Sequence, residues 1–179
     1  MLETKIISAM EKCFLDQTPA DFPALERIRM YKNERATVQF ALYDPDEADN
    51  CCRLVEVKVY GTLAKYATMY TVENIVNYAP SFTTPKRTRE LDPTFLRTEP
   101  GLYPDVLANP MNGNCMPLVN QQLHTAYIDF EGDDLVPGVY PTEIAVVNGN
   151  TVLQRAFIEI TVMDALLPVQ DTRITNWFY

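Results

Sequence analysis

Residues Ala36 to Tyr43 read ATVQFALY. In an extended chain Ala36, Val38, Phe40 and Leu42 share one face, and Thr37, Gln39 and Tyr43 share the other. That alternation is the mark of a strand with one buried side. Arg53 to Tyr60 (RLVEVKVY) repeats it, with Val55, Val57 and Val59 inward and Glu56 and Lys58 outward. Comparable runs follow at Thr68 to Val76, Leu123 to Phe130, Tyr140 to Val147 and Leu153 to Val162. Between the last two sits Asn148-Gly149, a dipeptide that tolerates positive φ at both central turn positions, so the pair reads as a β-hairpin. Lys5 to Lys12 adds either an edge strand or a helical turn. No long stretch combines a 3.6-residue period with caps at both ends.

Proline outnumbers glycine 13 to 6 and clusters from Pro80 to Pro117. Pro80 to Asn120 is therefore expected to be a long irregular excursion, with a short helical turn in TEPGLYPDVL. Short alternating runs separated by turn signals predict an all-β chain. The expected fold is a two-layer antiparallel β-sandwich, immunoglobulin-like or jelly-roll-like, carrying one long proline-rich excursion.

A length of 179 residues suits one domain, and 47% hydrophobic content is enough to fill a core. The formal net charge of −9 opposes nucleic acid and anionic membrane surfaces, and Lys86 to Arg89 is too short a basic stretch to reverse that. No run reaches the length of a membrane span, and MLETKIISAMEKC lacks the pattern of a signal peptide. Cys13, Cys51, Cys52 and Cys115 are too few and too scattered for a disulfide framework. Those two readings tilt the compartment toward the cytoplasm without fixing it.

Candidate chemistry is sparse. His124 has no neighbour at metal-ligand spacing and alternates with apolar residues, which marks a structural side chain rather than a general base. Asp44 to Asn50 (DPDEADN) lacks the central glycine of a calcium loop and has Val55 where the bidentate glutamate belongs. Asp46-Glu47 and Asp133-Asp134 read as solvated loop charges. No catalytic, metal or cofactor residue is assigned. Asp105, after Pro104, is expected to pin the excursion together with Tyr103, its carboxylate accepting hydrogen bonds from nearby amides.

Four phrases are more particular: YKNERATVQFAL (Tyr31 to Leu42), EPGLYPDVL (Glu99 to Leu107), VPGVYPTEIAV (Val136 to Val146) and LLPVQDTRITNWFY (Leu166 to Tyr179). In this order they resemble the N-terminal domain of family 123 glycoside hydrolases and their uncharacterised relatives. The resemblance implies a β-sandwich over residues 1–167. Residues 168–179 would then be the linker and the start of a (β/α) barrel, with Leu167-Pro168 at the junction. His124 departs from the family, which tends to carry a tryptophan there, so no ligand-stacking role transfers to it.

Characterised members remove terminal N-acetylgalactosamine by a substrate-assisted mechanism whose Asp-Glu pair lies in the barrel. The resemblance thus implies a non-catalytic accessory domain of a β-N-acetylgalactosaminidase-like parent, inactive alone and partnered by its own downstream barrel. Trp177, Phe178 and Tyr179 are the expected interface with that barrel. Without it they would fold back on the sandwich or pair two molecules into a dimer. The alternative is a carbohydrate-binding module with exposed aromatics and the Pro80 to Asn120 excursion as its surface, which needs two or more coplanar, exposed aromatic side chains near polar groups.

Overall fold

The computed structural model describes residues 1–47, 52–78, 96–97, 99–132 and 135–168. In chain order the strands are β1 (Glu3–Ser8), β2 (Arg27–Tyr31), β3 (Ala36–Tyr43), β4 (Cys52–Tyr60), β5 (Ala67–Asn77), β6 (Gly101–Ala108), β7 (Cys115–Val119), β8 (Leu123–Phe130), β9 (Gly138–Asn148) and β10 (Thr151–Met163). They form two five-stranded sheets, ordered β1-β3-β8-β5-β6 and β2-β10-β9-β4-β7.

The sandwich follows from the alternation. Val38, Phe40 and Leu42 of β3 join Ala126, Ile128 and Phe130 of β8, facing Val55, Val57, Ile144, Val146, Ile158 and Ile160 of the other sheet. Phe40 and Phe130 are essentially fully buried. The hairpin is where Asn148-Gly149 placed it, with one change: Asn148 pairs with Thr151, and positive φ falls on Gly149 alone of the two loop residues.

Three expectations change. First, β2 runs parallel to β10, so the second sheet is mixed, whereas the other pairings are antiparallel among the described residues. Second, the Pro80 to Asn120 excursion is not irregular throughout, because it contains β6 and β7. Its residues 80–95 and 98 lie outside the described residues. Third, the helical turn expected in TEPGLYPDVL is strand β6, whose backbone is taken up by the β5 ladder with a register shift between Glu73 and Asn74. Both new strands lie at sheet edges, where a proline costs no central ladder bond. Pro104 of β6 has no N–H, and its carbonyl accepts from Lys12 Nζ at 2.9 Å. Pro117 sits likewise in β7.

The outer face of the first sheet is also covered. Residues 9–22 cross it, and Ile7, Ala41 and Leu123 bury against Cys13 and Phe22 in a second apolar cluster. Gln39 is buried on that face, and its Nε2 donates to the carbonyls of Ser8, Ala9 and Glu11 at 3.1, 3.4 and 2.8 Å. Lys5 of β1 completes the cover by donating to the Phe22 carbonyl at 2.9 Å.

Candidate docking surface

The best-defined surface lies where the chain leaves the sandwich. After β10 the backbone bends, with the Ala165 amide bonded to the Met163 carbonyl at 2.8 Å. The turn after β2 then grips the departing strand. Lys32 pairs with Asp164 at 2.5 Å, and its amide donates to the Ala165 carbonyl at 3.1 Å. Asn33 closes the grip: its Oδ1 accepts from the Leu167 amide at 2.7 Å and its Nδ2 donates to the Leu167 carbonyl at 3.2 Å. A side-chain amide presents one acceptor and donors side by side, so here Asn33 substitutes for a short piece of strand.

Exposed apolar side chains also stand at this end of the sheet. Val136 and Leu166 both extend past the Gly138–Val162 end of the β9–β10 ladder, and both are exposed, as is Val139. Beneath them Leu135 is buried, and Tyr140 holds the loop by donating its hydroxyl to the Val136 carbonyl at 2.7 Å. Exposed apolar side chains beside a firmly held backbone make this a surface suited to contact. Trp177, Phe178 and Tyr179, the expected interface, lie outside the described residues.

Tyr103 and Asp105 sit elsewhere, on edge strand β6. The Tyr103 ring meets Phe14 edge-on at 5.6 Å and 82°, and its hydroxyl donates to the Glu99 carbonyl at 2.5 Å. Arg97 caps the other ring, its guanidinium 3.8 Å from the Phe14 centroid, and pairs with Asp16. That hydrogen bond is the main reason the Asp16 carboxyl titrates below the usual range. Asp105 faces the Lys12 ammonium at 3.7 Å rather than backbone amides, and its side chain is 59% exposed. The contacts of both residues therefore join β6 to the N-terminal crossing.

Other candidates are occupied structurally. His124 Nε2 accepts the Val119 amide at 3.3 Å, and burial lowers its pKa against a weaker opposing pull from Glu73. Asp44 is buried, pairs with Arg53 and caps the Asp46 amide at 3.2 Å. Cys13, Cys52 and Cys115 are free thiols, and burial pushes Cys13 up to about 12. Cys51, Asp133 and Asp134 lie outside the described residues. Among the described residues no three His, Cys, Asp or Glu side chains gather as metal ligands, and no helix is long and apolar enough to cross a membrane.

No protein-family model matches the chain, and no curated protein does. Among solved structures it is similar to a family 123 glycoside hydrolase from Clostridium perfringens, described for glycolipid glycan hydrolysis, with a TM-score of 0.65 and 11% identity. The match covers 94% of this chain and 28% of that one, so the chain spans little more than a quarter of the hydrolase's length. At this identity the likeness shows the fold. The N-terminal domain of PorA also matches, at a TM-score of 0.38 and 8% identity over 89% of this chain and 97% of that one, a score too low to equate the two folds.

Proposed function

We propose that this chain is a non-catalytic N-terminal accessory domain of a glycoside hydrolase-like protein. It packs against a downstream barrel that acts on N-acetylhexosamine-type glycans. The observation that carries the reading is the exit at Leu167, gripped by Asn33 and bordered by exposed Val136, Val139 and Leu166. It is supported by the fold likeness, which takes up 94% of this chain and only 28% of the hydrolase.

The sandwich then works mechanically: it fixes where the chain enters the barrel and shields an apolar part of the barrel surface. Docking of this kind couples the two parts thermodynamically, because each buries surface of the other. In a protein continuing past residue 179, scanning calorimetry is expected to give one joint transition that splits in Val136→Asp and Leu166→Asp. Two independent transitions in the unaltered protein would refute the docking. The isolated chain is expected to leave nitrophenyl N-acetylhexosaminides intact; turnover abolished by a substitution within the sandwich would refute the accessory role.

A further inference from the structure

The outer face of the second sheet carries a row that neither the core nor the exit uses. Tyr60 on β4 and Phe157 on β10 both stand opposite Glu143 on the intervening β9. Directly paired residues project from the same face of a sheet, so the three side chains form a line across three strands. Their chain neighbours Ile144 and Ile158 point the other way, into the core. Phe157 is 67% exposed and Tyr60 43%. Two strand spacings separate the rings' backbones by about 10 Å.

Between them the carboxylate is held. Arg155, two residues before Phe157 and so on its face, donates Nη1 to Glu143 Oε1 at 3.0 Å, and the Glu143 side chain is only 21% exposed. Charges border the row: Lys58 pairs with Glu56 at 3.0 Å on one side, and Glu159 stands opposite Arg27 on the other.

We propose that this row binds a neutral oligosaccharide, with Tyr60 and Phe157 stacking on two pyranose rings and the Glu143–Arg155 pair bonding the hydroxyls between them. A pyranose presents a flat face of C–H groups and a rim of hydroxyls. Ring, fixed carboxylate with guanidinium, ring is the complementary sequence of surfaces. Two rings with a charge between them offer far less continuous apolar area than the roughly 800 Å² per partner of a stable protein interface. Aromatic stacking would also suit bases, but the central carboxylate and the net charge of −9 repel a phosphate backbone, and they disfavour sulfated or uronic sugars equally. The proposal does not rest on the barrel reading, and either can fail alone, since one is read by glycan binding to this chain and the other by coupled melting.

The test is titration of this chain, followed by amide NMR, with four probes: cellotetraose, the N-acetylglucosamine tetramer, an N-acetylgalactosamine-terminated tetrasaccharide and a heparin tetrasaccharide. At least one neutral probe is expected to shift the Tyr60, Glu143 and Phe157 amides. Tyr60→Ala and Phe157→Ala should each weaken binding roughly tenfold or more, as loss of an aromatic anchor does. Ile75→Ala, exposed on β5, should leave it unchanged. If either alanine variant misfolds, Tyr60→Leu and Phe157→Leu keep apolar bulk on the strand while removing the π-face. No response to any neutral probe, binding that survives loss of both rings, or a preference for heparin would overturn the proposal.

Discussion

Replacing Gln39 by methionine keeps the length of the side chain and removes its hydrogen bonds. The amide nitrogen has two hydrogens, so its three acceptors, at 2.8, 3.1 and 3.4 Å, share two bonds' worth of interaction. Ser8 and Ala9 keep other donors, the Glu11 amide at 3.2 Å and the Tyr127 hydroxyl at 3.3 Å, whereas the Glu11 carbonyl loses Gln39 at its shortest contact. At about 0.5 to 1.5 kcal/mol net per bond, the substitution should cost about 1 to 3 kcal/mol. For a chain of this size that is a fall in melting temperature of about 3 to 10 °C. Circular dichroism would measure it, and hydrogen exchange would localise it. The amides of Phe14 and Gln17, in the crossing, should lose protection before those of β3. A melting temperature within about 1 °C of wild type, with protection unchanged, would refute the reasoning. The crossing would then be held by burial of Cys13 and Phe22 and by its other contacts, such as Lys5 with the Phe22 carbonyl and Phe14 with Tyr103, without measurable help from Gln39.

Three further outcomes are expected. His124 titrates below its ordinary value in the fold, so below about pH 6.5 the unfolded chain binds the extra proton and stability declines as pH falls; His124→Gln should flatten that part of a stability–pH curve. Cys13, held near 12 by burial with Glu11 adding to the shift, should resist alkylation at pH 8 in the native protein while exposed Cys52 reacts, and mass spectrometry of the labelled peptides would distinguish them. A Cβ at Gly132 would lie 2.4 Å from Tyr66 Cδ1, so Gly132→Ala should destabilise by about 1 to 3 kcal/mol in urea unfolding as the ring is displaced.

How far the sequence carries the reader depends on what each residue reports. Alternation states which way a side chain points, and it placed β3, β4, β8, β9 and β10 because each has a full inward set such as Val38, Phe40 and Leu42. It does not state what lies on the far side. Gln39 and Thr125 point away from the main core, yet both are buried, because the N-terminal crossing covers that face. In β2 only Ile28 and Met30 turn inward between arginines, too short a signal to stand out, and its parallel pairing depends on β10 far along the chain. Pro104 and Pro117 argued against strands that exist because both occupy edges, a position fixed only by the assembled sheet. The row of Tyr60, Glu143 and Phe157 was beyond sequence reading for a similar reason. Each residue reads as an ordinary outward position, and only the register of three strands aligns them.

Those edge prolines have a consequence for growth. An edge strand normally offers a ladder of unmet donors and acceptors on which another chain can be templated. Pro104 removes a donor and commits its carbonyl to Lys12, the register shift bends β6 beside it, and Pro117 brings no N–H to β7. At the remaining two margins, Arg27 and Arg29 place cations on β2, and Lys5 does so on β1. The four margins of the described sheets thus discourage the addition of a further strand, so at these margins copies at high concentration lack a ready route to ribbons and fibrils. Association is directed to the faces, where it depends on particular side chains rather than on a backbone pattern that every protein shares.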